Sequence, residues 1–295
     1  TIYTFEEKVL KQRELQQQAH TRNQIAEIQS SGEWKRRLKM TGYFVVGFAV
    51  LAFIASLLMG AFTNLLVSRI PAKWESQFGE TLMEEIRKEE HFSEDAVQQK
   101  RLDGAVAPLL VALPRDGGVT YQFYLLEERL PNAFALPGGY VMVTTGLMEL
   151  VEGEPEELAA VVAHEIAHVT QKHGFRKIIS AAGPYLIMRM VVRDESGLLG
   201  VLGQGSEVLV RQSFSQEYEL EADAVGWDYL LKAKIDPRAM PRVLTKLQEV
   251  QDRMGQQPGL AAFSSHPETE KRIKRLEKKW QQLKVKPEFV QIRPE

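Results

Sequence analysis

Between Lys39 and Arg69 the chain runs for 29 residues, Met40 to Ser68, without a charged side chain, and 21 of those residues are apolar. About 20 apolar helical residues, each rising ~1.5 Å, cross a hydrocarbon layer of roughly 30 Å. A buried core helix seldom stays apolar on every face over such a length. A cleaved signal sequence has an apolar region of only about 7–15 residues near the N-terminus, whereas this run is longer and comes after 39 residues. The sequence therefore predicts a polar segment over residues 1–39, a membrane-spanning helix over 40–68 and a separate domain over 69–295. Lys35, Arg36, Arg37 and Lys39 crowd one flank, while only Arg69 and Lys73 lie close to the other, with Arg87 and Lys88 further on. Basic residues favour the cytoplasmic side, so the expected topology is single-pass with the N-terminus inside and the large domain outside. Ala52, Ser56 and Gly60 recur at every fourth position, a stripe of small residues that permits close helix approach and self-association in the lipid bilayer.

Charge and composition exclude several other classes. The chain has 37 Lys and Arg against 39 Asp and Glu, a net charge of −2. That balance divides into +3 over residues 1–39 and −5 over residues 69–295. Neither value supports a nucleic-acid partner bound by bulk electrostatics, and the Lys/Arg face of the last helical segment reads as solvated surface. The absence of Cys excludes disulfides, thiolate catalysis and cysteine-ligated zinc.

Patterning assigns the segments after the span. Residues Glu75 to Glu90 and Ser93 to Leu102 read as helices, the second opened by a Ser93 cap. Gly104 and Pro108 punctuate the next stretch, so Leu109 to Leu113 reads as a short strand. Val119 to Glu127 and Tyr140 to Thr144 read as strands, with Gly138-Gly139 as the turn before the latter. From Glu154 onward the pattern is helical, beginning at Glu154-Pro155-Glu156-Glu157 and running to Gly174. Further helices are expected over Gln216–Lys232, Pro237–Met254 and Pro267–Leu283. The apolar, Gly-rich residues 180–210 contain Arg189, Arg193 and Asp194, which oppose a second span. They read as a helical hairpin lying on the bilayer or over the site.

The chemistry lies in Val162-Ala163-His164-Glu165-Ile166-Ala167-His168-Val169. Two histidines four apart on a helix project from one face and can share a zinc ion. Glu165 stands too far round the helix to join them as a ligand in that plane, but it can act as general base on the water that the metal activates. Only six histidines occur in the chain, and two buried imidazoles beside a carboxylate would be costly without a partner. A catalytic zinc needs a third protein ligand and an open position. Ser215 to Asp223 carries Glu217, Glu219, Glu221 and Asp223 on one predicted helix. Glu219 with Asp223 suits a ligand plus a carboxylate that orients a zinc-bound histidine, and Glu217 with Glu221 forms a competing pair. Spacing alone leaves Glu219 and Glu221 level.

The chain resembles the zinc metallopeptidases that include HtpX-like, BepA-like, Oma-type and CAAX prenyl protease enzymes. The resemblance covers about residues 75–285. It rests on Asn132-Ala133-Phe134-Ala135-Leu136-Pro137-Gly138-Gly139, His164-Glu165-Ile166-Ala167-His168, Glu219-Leu220-Glu221-Ala222-Asp223, and Ser265-His266-Pro267 with Arg272, in that order. It implies a mainly α, α+β fold of gluzincin type with a small sheet whose edge strand binds an extended polypeptide substrate. It implies one zinc per chain on His164, His168 and Glu219, with Glu165 as base and Asp223 in support. Asn132, Ala133, Phe134, Ala135, Pro137, Gly138 and Gly139 would line the substrate cleft. His266 and Arg272 would stand near the metal, stabilising the oxyanion, or His266 would fill the open position in a latent state. His20, His91 and His173 lack such context and read as surface. The expected protein is a membrane-anchored zinc endopeptidase of the inner membrane with a periplasmic catalytic domain, acting in protein quality control. The alternative is a metal-stabilised chaperone or scaffold that uses the same groove without turnover.

Overall fold

The computed structural model describes residues 3–68, 72–113, 119–178, 214–254, 269–284 and 287–292. The chain divides into two compact units, Thr1–Phe62 and Thr63–Glu295. The polar segment and the apolar run join in one helix, α1 (Tyr3–Ser68), whose residues up to Phe62 belong to the first unit. Its stretch Arg36–Leu58 has a mean hydropathy of 2.2, and none of it is buried. At 1.5 Å per residue those 23 residues extend roughly 35 Å, enough to cross a bilayer.

Among the described residues the second unit is mainly helical around a three-stranded sheet, an α+β fold. It comprises α2 (Ala72–Glu89), α3 (Ala96–Ala112), β1 (Gln122–Leu126), β2 (Ala133–Leu136), β3 (Tyr140–Thr144), α4 (Thr145–Leu150), α5 (Pro155–Thr170), α6 (Gln216–Lys232), α7 (Ala239–Met254) and α8 (Thr269–Gln282). The strand order is β1-β3-β2, parallel between β1 and β3 and antiparallel between β2 and β3. Among the described residues β2 is therefore an edge strand. Alternation splits the sheet into two apolar faces. Leu125, Ala133 and Val143 join the core of α3, α5 and α6, while Leu126, Leu136 and Met142 pack with Phe78, Leu82 and Ile86 of α2. The β2–β3 turn needs its glycines: Gly138 and Gly139 have φ of +85° and +96°, values that L side chains rarely adopt.

Two local expectations fail for identifiable reasons. Leu109 to Ala112 is helical, within α3, despite Pro108. Leu102, Ala105, Val106 and Leu109 form one buried stripe at i, i+3, i+4 and i+7. Burial of that stripe outweighs one lost backbone hydrogen bond. The helix is also capped by Asp95 rather than Ser93, because the Asp95 carboxylate accepts from the amides of Val97 and Gln98 at 2.9 and 3.1 Å.

The central helix is α5. Pro155 opens it, Glu156 and Glu157 occupy its first turn, and Ala159, Ala160, Val162, Ala163, Ile166 and Ala167 are fully buried. Its small residues let α6 approach closely: a Cβ on Gly226 would lie 3.1 Å from the backbone of Ala163 and His164. That contact sets the distance between the two helices that carry the histidines and the acidic cluster.

Candidate metal centre

α5 presents His164 and His168 one turn apart, with Nε2 atoms 3.1 Å from each other. α6 brings Glu219 opposite them. Glu219 Oε2 lies 3.4 Å from His164 Nε2, and Oε1 lies 3.5 Å from His168 Nε2. All three side chains are buried, and one donor atom from each falls within 4.8 Å of the others. Two imidazole nitrogens and a carboxylate oxygen converging so closely suit a zinc ion, with His164 and Glu165 both on the wall of a cavity. Among the acidic residues left level by spacing, it is Glu219 that faces both histidines.

The surroundings of His164 are ionic. Its Nδ1 lies 3.0 Å from Asp223 Oδ1. Arg272, only 2% exposed, donates from Nε and Nη2 to the two Asp223 oxygens at 2.8 and 2.7 Å. Its Nη1 lies 2.8 Å from Glu219 Oε2, an ion pair without hydrogen-bond alignment. Burial alone would raise the Asp223 carboxyl, but the charge and hydrogen bonds of Arg272, with help from His164, hold it down to about 2. Burial and Arg272 both push His164 down, yet its hydrogen bonds to Asp223 and Glu219 lift it to about 9. A metal ion at Nε2 must displace that proton. The position of Arg272 excludes a solvated surface pair.

Glu165 is 2% exposed and lines a cavity of about 70 Å³ with His164, Asn132, Ala133 and Arg272. Most of the remaining lining is apolar, including Leu147, Val243, Leu244 and Leu247, with Gln251 and Thr269 as the polar exceptions. Of the predicted cleft segment, Asn132 and Ala133 reach this cavity. Ala135 and Pro137 line a smaller one beside His168, and half-buried Phe134 packs with the α2-side core. Gly138 and Gly139 lie in the β2–β3 turn, where a Cβ on Gly139 would meet Val119 and Thr120. His266 and residues 180–210 lie outside the described residues.

His173 is a correction. It is fully buried rather than at the surface. α5 stops at Thr170, short of Gly174, and Lys172 takes a φ of 55°, turning His173 back beneath His168. Burial pushes the His173 imidazole down to about 4 against the pull of Glu221. Sequence reasoning also missed Phe214, stacked on His168 at 4.2 Å, and Tyr218, stacked on His173 at 4.6 Å. No local pattern announces either ring, because both depend on how α6 is docked.

An HExxH helix, a downstream glutamate and an edge strand, assembled in a small α+β domain, define the architecture of a metallopeptidase. The sequence pattern of peptidase family M48 matches residues 96–280, and the chain belongs to that family. It is 31% identical over 183 residues to the mitochondrial metalloendopeptidase OMA1 of Schizosaccharomyces pombe, covering 61% of this chain and 52% of that protein. It is 32% identical over 190 residues to the beta-barrel assembly-enhancing protease of Yersinia pestis, covering 60% and 38%. Against metalloprotease LoiP of Escherichia coli it is 30% identical over 163 residues, covering 54% and 61%. The matched region thus spans between about two fifths and three fifths of these relatives.

Proposed function

We propose that the protein is a membrane-anchored zinc endopeptidase that cleaves unfolded or membrane-associated polypeptides in protein quality control. The observation that carries this reading is the convergence of His164, His168 and Glu219 beside Glu165 at an apolar cavity bordered by the start of an edge strand. His164, His168 and Glu219 would hold the ion. Bound zinc supplies Lewis acidity, which polarises the scissile carbonyl and makes water acidic enough to attack near neutral pH. Glu165 takes the proton released by that water and passes it to the leaving amine. Asp223 and Arg272 keep His164 and Glu219 in place. An extended substrate adds to β2 through main-chain hydrogen bonds, which favours tolerance of sequence. The apolar cavity beside Glu165 takes a hydrophobic side chain next to the cleaved bond.

Purified full-length protein is expected to contain one zinc per chain and to degrade an unfolded casein-type substrate. A chelator should abolish cleavage and zinc should restore it. Zinc-loaded protein that cleaves no unfolded polypeptide would instead support a chaperone or scaffold role.

The membrane part of the proposal rests on the Arg36–Leu58 stretch and on the basic residues before it. Residues 1–39 then form the cytoplasmic segment, 40–68 the span and 69–295 the catalytic domain on the periplasmic side of an inner membrane. Protease added outside intact spheroplasts should digest the catalytic domain and leave a small membrane-protected N-terminal fragment. Protection of the whole chain would reverse the topology.

A further inference from the structure

On the far side of His168 from the converging donors lies a second pair of side chains for which the hydrolytic reaction has no direct use. His173 Nδ1 stands 2.9 Å from His168 Nδ1, and His173 Nε2 stands 3.2 Å from Glu221 Oε2. The turn at Lys172 creates this placement, since a continuous helix would carry residue 173 away from the face of residue 168. Tyr218 stacks on the His173 ring with an interplanar angle of 17°, and Arg176 Nη1 lies 3.7 Å from Glu221 Oε2. His173 is thus held by packing on its face and by polar atoms at both nitrogens.

Hydrogen-bond chemistry then fixes the order of the protons. With Nε2 of His168 turned to the metal position, the ring proton of His168 must sit on Nδ1. That proton faces His173 Nδ1, which must therefore be the acceptor. The His173 proton is left on Nε2, facing the Glu221 carboxylate. We propose, on the basis of the zinc reading above, that His173 and Glu221 are positioning residues that form a relay, His168 to His173 to Glu221, locking the ring orientation and tautomer of the second zinc ligand. Hydrogen bonding of this kind raises the donor strength of a metal-bound imidazole and is worth about 10–100-fold in metal affinity. The two ligands of α5 are supported differently: Asp223 acts directly on His164, whereas a second imidazole stands between His168 and its carboxylate. Glu221 is 41% exposed, so the relay ends at the surface.

The test is a Zn²⁺ titration of the metal-free full-length chain in detergent against a chelating indicator, with thermal melting of the same metal-free samples. His173→Phe retains a ring for Tyr218 to stack on but removes both nitrogens. Its zinc dissociation constant is expected to rise by about 10–100-fold. Glu221→Leu should weaken zinc binding to a smaller extent. Glu221→Gln, which keeps an acceptor for the His173 N–H, should restore much of the loss. The Glu221 variants should melt like the parent when metal-free, which separates ligand positioning from a merely structural role and keeps the test open if His173→Phe does not fold. Parent protein that binds zinc, with both His173→Phe and Glu221→Leu within about twofold of it, overturns the relay alone. Parent protein that binds no zinc overturns the underlying zinc reading and the relay with it.

Discussion

Glu165→Gln is expected to reduce kcat/KM for an unfolded polypeptide by roughly 10²–10⁴-fold, the usual contribution of a positioned general base. That corresponds to about 3–5 kcal/mol of transition-state stabilisation. Glutamine matches glutamate in shape, so the walls of the cavity next to Asn132 and Ala133 should stay as they are. What it cannot do is accept a proton at neutral pH. The loss should therefore appear in kcat, with zinc content and melting temperature unchanged. A second, independent signature is that substrate binding survives, since β2 and the apolar wall are untouched. The zinc-loaded variant should then capture polypeptide without releasing fragments. Residual casein-type cleavage at the parent rate would remove Glu165 from the reaction and redirect attention to other carboxylates near the ion.

Much of this site was visible in the sequence because its signals are local. The i, i+4 spacing of His164 and His168 depends only on helix geometry, α5 begins where Pro155 indicates, and α6 spans the expected Gln216–Lys232. Within the acidic cluster, patterning could not choose between Glu219 and Glu221. Both lie on α6, and only the docking of that helix, set by the close approach at Gly226, turns Glu219 toward the histidines and Glu221 toward His173. His173 was misread for a related reason. Gly174 is an apt helix terminator, whereas the left-handed residue is Lys172, and a lysine at φ 55° leaves no mark in the sequence. Pro108 shows the opposite failure, a strong local signal overruled by tertiary burial of the α3 stripe. Arg272 is disguised by composition. It sits among the basic residues of α8, but it shares a face with buried Leu276 four positions on and points inward.

Removal of that arginine should have the largest effect on stability. Arg272→Met takes away the cation between Asp223 and Glu219, both of which are 2% exposed or less. Methionine fills much of the volume, so the main cost is electrostatic. Two buried carboxylates then stand without the guanidinium that neutralised them, and breaking a buried ion pair from one side costs about 3–5 kcal/mol. For a domain of this size that lowers the melting temperature of the metal-free protein by on the order of 10 °C. Zinc should recover part of the loss, because a divalent ion on Glu219 takes over one of the two carboxylates while His164 still faces Asp223. Arg272→Lys should sit in between: it keeps the charge but cannot span both Asp223 oxygens with two parallel hydrogen bonds. A double variant, Arg272→Met with Asp223→Asn, should be less destabilised than the sum of its parts, since the second change removes one of the orphaned charges. Strict additivity in urea unfolding of the metal-free proteins would mean that the pair does not act as a unit. In that case Arg272 would matter only as the anchor that docks α8 against the metal helices.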